Sequence, residues 1–258
     1  RKDVKYTKKC LPREIDIVRK LQHANIIKVH EFILSQFYWL SARRIIFLPE
    51  YPFVCIVQDY TDKGDLLRKI RRLKKVNERE GKLHFRQLLE AMKYLKMMEV
   101  VHRDIKCENI LLDSCENIKI TDFGFARLLK IGEKSRTFCG SRAYLAPEII
   151  RAQPYDGFVS DMWSAGIVLY VMTTGMMPYD DKNVKKMLER QLQRRIAYPR
   201  SIVISAEVRR LIFDILNPIP GKRPTIDEVI RSKWLAGVPY RIFLQAISDS
   251  IIDSEQVT

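Results

Sequence analysis

The feature that most constrains this chain is the stretch from Val101 to Gly124, VHRDIKCENILLDSCENIKITDFG. His-Arg-Asp comes first, Asn109 follows Asp104, two short apolar runs come next, and Asp-Phe-Gly closes it. The runs Ile110–Leu112 and Ile118–Ile120 predict a small hairpin across Asp113–Asn117, which would fold the two ends of the stretch together. Phosphoryl transfer needs such a set: a carboxylate to orient the attacking hydroxyl, and oxygen ligands for Mg²⁺ on the nucleotide phosphates. Asp104 suits the first task. Asn109 and Asp122 suit the second, because hard Mg²⁺ takes oxygen donors. Lys106, just beyond Asp104, can reach the transferring phosphate. Read as a surface loop, the same residues would be incidental acids, and H-R-D-x-x-x-x-N and D-F-G would share this spacing by accident.

At these residues the chain resembles the eukaryotic protein kinases, whose signature set contains both motifs. The resemblance continues in order through Cys139-Gly140-Ser141, Ala146-Pro147-Glu148, Asp161-x-Trp163-Ser164-x-Gly166 and Lys222-Arg223-Pro224. LPREIDI, VHRDIKCENILLD, TDFGFAR, TFCGSRAYLAPEII and MPYDDKNVKKML look most similar to the testis-specific serine/threonine kinases of the calcium/calmodulin-kinase-like branch. The resemblance implies an α+β, bilobal kinase fold. Residues 1–60 would be a partial N-lobe with helix C, strands four and five and a long insertion near 33–53. Residues 61–238 would be a mostly helical C-lobe, and 239–258 a frayed polar tail. It also implies ATP and Mg²⁺ as cofactors and Ser or Thr of protein substrates as acceptors.

One part of the family pattern is not found. The G-x-G-x-x-G turn and the V-A-x-K lysine do not occur, and RKDVKYTKKCLPRE looks like the segment just after that lysine strand. The expectation is therefore an N-terminally incomplete kinase. Lys2, Lys5, Lys8 and Lys9 lie in a polar run without a strand pattern and are not expected to substitute. By resemblance Glu14 is the ion-pair glutamate of helix C; without that lysine it is expected to be a solvated surface acid. The alternative function is a catalytically impaired kinase-fold binding or scaffold module.

Composition sets broad bounds. The 258 residues fit one large or two small domains, and 47% hydrophobic with 30% charged residues is ordinary for a globular protein. No apolar run approaches the roughly 20 residues of a membrane span. Five cysteines without C-x-x-C pairs suggest reduced thiols and a cytoplasmic protein. The net charge of +15 is spread through pieces such as RRLKK and KKMLERQLQRR. No aromatic interleaving accompanies it, so a solvated basic surface is expected rather than a nucleic-acid site. A monomer is expected.

Along the chain, Leu11–Gln22 and residues 82–98 show helical apolar spacing, with His84 assigned to the surface and Met97 and Met98 to the core. Ile26–Phe32 and Val54–Tyr60 fit strands. Residues 161–175 are apolar nearly all round, which predicts a buried helix. By resemblance, Gln58, Asp59 and Tyr60 connect the lobes beside the adenine, with Gln58 as gatekeeper. Asp65 meets the ribose, or caps the helix beginning LLRKIRRL. Leu111, Thr121 and Asp122 complete the nucleotide site. His102 is expected to pack under Phe123.

Between 125 and 145 the resemblance implies an activation loop. Arg103 would pair with a phosphorylated residue there, Thr137 first and Ser135 second, set by an activating kinase. Ser141 is expected near the catalytic loop. Glu148 and Arg223 would form a buried ion pair, and Asp161 would brace the backbone at His102 and Arg103. Glu108 and Asp65 occupy positions that meet basic residues in arginine-directed kinases, implying R-x-x-S/T substrates.

Overall fold

A computed structural model describes residues 11–35, 38–41, 44–47 and 53–244. Lys2, Lys5, Lys8, Lys9, parts of the 33–53 insertion and the acidic end after Leu244 lie outside the described residues.

The N-terminal part begins with α1 (Leu11–Val18), which buries Ile17 and Val18. It is shorter than its periodicity suggested. Lys20 N–H and Leu21 N–H donate to the carbonyls three residues back, tightening the chain out of the helix. β1 (Val29–Ser35) pairs antiparallel with β4 (Phe53–Gln58), and between them β2 (Tyr38–Ser41) pairs with β3 (Arg44–Phe47). The apolar insertion thus prolongs the strands predicted on either side and adds a second hairpin.

The C-terminal part is built round α5 (Gly157–Thr174), buried along nearly its whole circumference. The helix starts before the apolar run at 161, because the Asp156 carboxylate accepts from Phe158 N–H at 3.0 Å and Val159 N–H at 3.4 Å. It ends at Gly175, whose φ of +72° and close approach to the Lys74 carbonyl leave no room for a Cβ. α2 (Leu66–Leu73) and α3 (Glu78–Met97) pack against it, together with α7 (Ala206–Ile215). α6 (Val184–Leu192), α7 and α8 (Ile226–Ile230) are capped by Asn183, Ser205 and Thr225 respectively.

Three readings along α3 and beyond it are corrected. His84 is only 3% exposed; it lies on the same stripe as Leu88, and its Nε2 meets Glu116 O at 2.9 Å. Met97 is 75% exposed and Met98 37%, so neither is core: Met97, two residues beyond Leu95, has rotated off that stripe, and Met98 caps the helix end. Residues 239–244 are not frayed: they run back against α3 and the 113–117 turn, held by hydrogen bonds from Gln87 and Asn117.

Candidate active site

Two small ladders frame the site. β5 (Val100–Val101) pairs with β8 (Arg127–Leu128), and β6 (Ile110–Leu112) pairs with β7 (Ile118–Ile120) in the register Ile110↔Ile120. Asn109 enters β6 and Asp122 lies just past β7, so the antiparallel pairing carries both to one end of the hairpin. Thr121 N–H donates to Asn109 O at 3.0 Å.

Asp104 is 3% exposed and held on both oxygens. Ser141 N–H donates to Oδ1 at 2.8 Å; Lys106 Nζ at 2.7 Å and Asn109 Nδ2 at 3.1 Å donate to Oδ2. Burial alone would push this carboxyl up, but Lys106 and Ser141 outweigh it and hold the group below its ordinary value. Lys106 Nζ also reaches Ser141 Oγ at 2.8 Å. Asn109 Nδ2 bonds Asp104 O as well, at 3.0 Å, so its Oδ1 is the atom left to ligate a cation. Asp122 is exposed and accepts only a 3.3 Å bond from Gly124 N–H among the described residues.

The backbone at both ends of this set is left-handed: φ is +64° at Arg103 and +63° at Asp122. Non-glycine residues there cost about 1–3 kcal/mol each and persist only when the surroundings hold them. Asp161 does so at the first, its two carboxylate oxygens accepting from His102 N–H at 2.8 Å and Arg103 N–H at 2.9 Å. Burial pushes the Asp161 carboxyl up to about 7, against the pull of those two donors. The His102 ring lies edge-on to Phe123 at 4.9 Å, its Nε2 meeting Thr121 O at 3.1 Å and its Nδ1 accepting Asp104 N–H at 3.2 Å. Burial lowers its pKa, so it stands as a neutral strut.

The segment after Phe125 closes over this loop. Gly140, at φ +105°, brings its Cα so near the Arg103 carbonyl that a Cβ would lie 2.6 Å from that oxygen. The close approach is what delivers Ser141 to Asp104. Ser135 is 1% exposed and its main chain exchanges two hydrogen bonds with Tyr155, whereas Thr137 is exposed. Arg103 Nε donates to Phe125 O at 2.7 Å, and its buried Nη1 has no hydrogen-bond partner among the described residues.

On the other side, Lys63 N–H donates to Leu112 O and Leu112 N–H to Gly64 O, which sets Asp65 opposite Leu111. Asp65 caps α2, its Oδ1 accepting Arg68 N–H at 2.8 Å. Gln58 ends β4 and is exposed, as is Tyr60; Asp59 Oδ1 pairs with His30 at 2.7 Å. Glu14 lies half-buried in the first turn of α1, rather than on the open surface.

A sequence model of the protein kinase domain matches residues 1–235 of this chain. The chain belongs to the protein kinase family. It is 42% identical over 235 residues to mouse testis-specific serine/threonine-protein kinase 2, a match covering 89% of this chain and 62% of the relative. Identity to human testis-specific serine/threonine-protein kinase 1 is 40% over 235 residues, covering 89% and 60%. Human testis-specific serine/threonine-protein kinase 3 is 40% identical over 233 residues, covering 90% and 81%. The chain thus spans about three fifths of the length of the first two relatives.

In this kinase fold the helical part carries a buried ion pair. Arg223 Nη1 and Nη2 each lie 2.7 Å from an oxygen of Glu148, in α4 (Pro147–Ile150). Ser160 Oγ donates to Glu148 Oε1 at 3.0 Å, Arg223 also donates to Asn217 O at 2.8 Å and Val159 O at 3.1 Å, and the Trp163 indole lies under the guanidinium at 4.9 Å. Sequence reading missed a second buried cation, Lys69, whose ammonium bridges Glu80 and Glu116. Its signal was faint: one lysine on the inward side of an otherwise basic helix. It also missed the Tyr144 hydroxyl, which donates to Glu108 Oε2 at 3.3 Å and steadies the 3₁₀ turn Cys107–Asn109.

Proposed function

We propose that this chain is the catalytic region of a serine/threonine protein kinase, transferring the γ-phosphoryl group of ATP to a Ser or Thr hydroxyl of a protein. The observation that carries this reading is the Asp104 carboxylate: buried, fastened by three donors and held in its ionised form. Such a group can orient an incoming hydroxyl and accept its proton. Lys106, already within 2.7 Å of Asp104, stabilises charge on the transferring phosphate.

Asn109 and Asp122 offer oxygen donors at one end of the β6–β7 hairpin, a set that suits Mg²⁺. When bound, that ion neutralises charge on the nucleotide phosphates. Gln58, Asp59, Tyr60, Asp65, Leu111 and Thr121 line the path on which the nucleotide would lie. Residues 1–60 and 61–238 act as the two lobes. The exposed Glu108 and the half-buried Asp65 favour substrates with arginine upstream of the acceptor. Thr137 is the site at which an activating kinase adds phosphate, with Arg103 as its partner. Among the described residues no helix is long and apolar enough to cross a membrane. A cytoplasmic monomer fits this role.

The test is Mg²⁺-dependent transfer of labelled γ-phosphate to a Ser-containing basic peptide, comparing the chain with Asp104→Asn. Transfer that falls by orders of magnitude in the variant is the expected result. Nucleotide binding without transfer in either protein would instead make the chain a binding or scaffold module.

A further inference from the structure

The polypeptide does not leave the body of the protein after α8. Residues 238–243 double back along α3, where the Val238 side chain packs against the core and several hydrogen bonds hold the main chain. Arg86 Nη1 donates to Val238 O at 3.0 Å, and Gln87 Nε2 donates to Arg241 O at 2.8 Å. The Asn117 amide takes both main-chain groups of Phe243, Nδ2 donating to its oxygen at 2.7 Å and Oδ1 accepting its N–H at 2.8 Å.

Gln87 and Asn117 are each 1% exposed and bonded to one another at 2.9 Å. Side-chain amides therefore do for this segment what a neighbouring strand does in a sheet. The side chains of Arg241 and Phe243, by contrast, are exposed.

Tyr240 engages the body through its side chain. Its hydroxyl donates to Asn25 Oδ1 at 2.9 Å, and its ring stacks on His23 with centroids 6.3 Å apart. His23 also stacks on Tyr94 at 5.1 Å, and the Tyr94 hydroxyl accepts Gln22 N–H at 2.9 Å. Asn25 is fully buried, its Nδ2 donating to Ile118 O at 2.9 Å and its carbonyl accepting Ile120 N–H at 2.8 Å. The turn 22–25 is thus gripped by α3, by β7 and by the returning segment.

We propose that residues 238–243 are a latch, docked by main-chain recognition on Arg86, Gln87 and Asn117, through which Tyr240 positions the turn that follows α1. That turn sets where α1, and Glu14 with it, sits over the C-terminal part. The latch so links the far end of the chain to the helix beside the proposed nucleotide site. The inference stands apart from the phosphoryl-transfer reading, since it rests on packing alone.

Amide hydrogen exchange on the full chain tests it, reading peptides over residues 19–27 against α5 as an internal control. Tyr240→Ala is expected to speed exchange over 19–27 by about tenfold, the scale of one hydrogen bond and one ring contact. Tyr240→Phe, which keeps the ring, is expected to do so by a smaller factor. Arg241→Ala and Phe243→Ala leave the main chain in place and are expected to change nothing, with α5 unaffected throughout. Unchanged exchange over 19–27 in Tyr240→Ala overturns the latch. So does an equal acceleration in Phe243→Ala, or one that spreads to α5.

Discussion

Arg223 meets Glu148 with both guanidinium nitrogens, each 2.7 Å from a different carboxylate oxygen, and the two side chains are almost fully buried. The pair joins the segment after α7 to the short helix α4. Removing one partner of such a pair leaves the other charged and desolvated, which costs about 3–5 kcal/mol. Arg223→Ala is therefore expected to lower the thermal midpoint strongly. Arg223→Lys should recover only part of the loss, because an ammonium cannot bond both oxygens in the forked geometry. A midpoint unchanged in Arg223→Ala would contradict a stabilising role for the pair.

Gly140 offers a more local probe of the site. A methyl group at this position would meet the Arg103 carbonyl at 2.6 Å, and the φ of +105° is itself unfavourable for alanine. Gly140→Ala should push Ser141 away from Asp104 and loosen the hold on its carboxylate. Phosphate transfer should drop at least tenfold while α5 keeps its protection from hydrogen exchange. Normal transfer rates in the variant would show that the Ser141 contact is dispensable.

Accessibility separates the two candidate phosphate acceptors, Ser135 and Thr137. Ser135 is buried and paired through its main chain to Tyr155, whereas Thr137 is exposed. Phosphate mapping after treatment with an activating kinase should find Thr137 modified and Ser135 untouched. The added charge, about −1.5 to −2, should act through Arg103. The effects of Thr137→Ala and Arg103→Gln on activity are then expected not to add. Modification at Ser135 instead would sink this assignment.

The raised pKa of Asp161 makes stability depend on pH. Its carboxyl titrates near 7 in the folded chain against 3.8 ordinarily. Between those values the folded state holds a proton that the unfolded chain has released, so raising pH across the window favours unfolding. The contribution is complete below about pH 4 and lost as pH climbs through 7, with an upper bound of about 4 kcal/mol. Asp161→Asn should be less stable at pH 5, having lost one of two main-chain bonds. Its melting temperature should nonetheless fall less than that of the wild type between pH 5 and pH 8. Parallel curves for the two proteins would rule this out.

Sequence legibility followed how locally each feature is encoded. Asp104, Lys106, Asn109 and Asp122 could be read together because one loop and one hairpin carry them all. The buried helix at 161–175 announced itself through its all-round apolar run, and Asp65, Asn183 and Ser205 fall at helix starts in keeping with their capping chemistry. His84 was within reach, since its spacing to Leu88 matches the stripe; a polar residue type hid it. Gly157 to Ser160 were missed because glycine and serine, both weak helix formers, flank Phe158 and Val159 in the first turn of α5. The returning segment at 238–243 left no periodic pattern, because several of its bonds are made by backbone atoms, which every sequence has.

That segment also sets an order of events in the making of the protein. Tyr240 and Asn25 are separated by 215 positions, so their bond closes a loop that takes in every helix from α2 to α8. At about 5–20 residues per second, the turn after α1 emerges from the ribosome roughly 10–40 s before its tyrosine is made. Until then it is held only by what α3 and β7 provide. The turn after α1 is therefore completed by a residue made long after it.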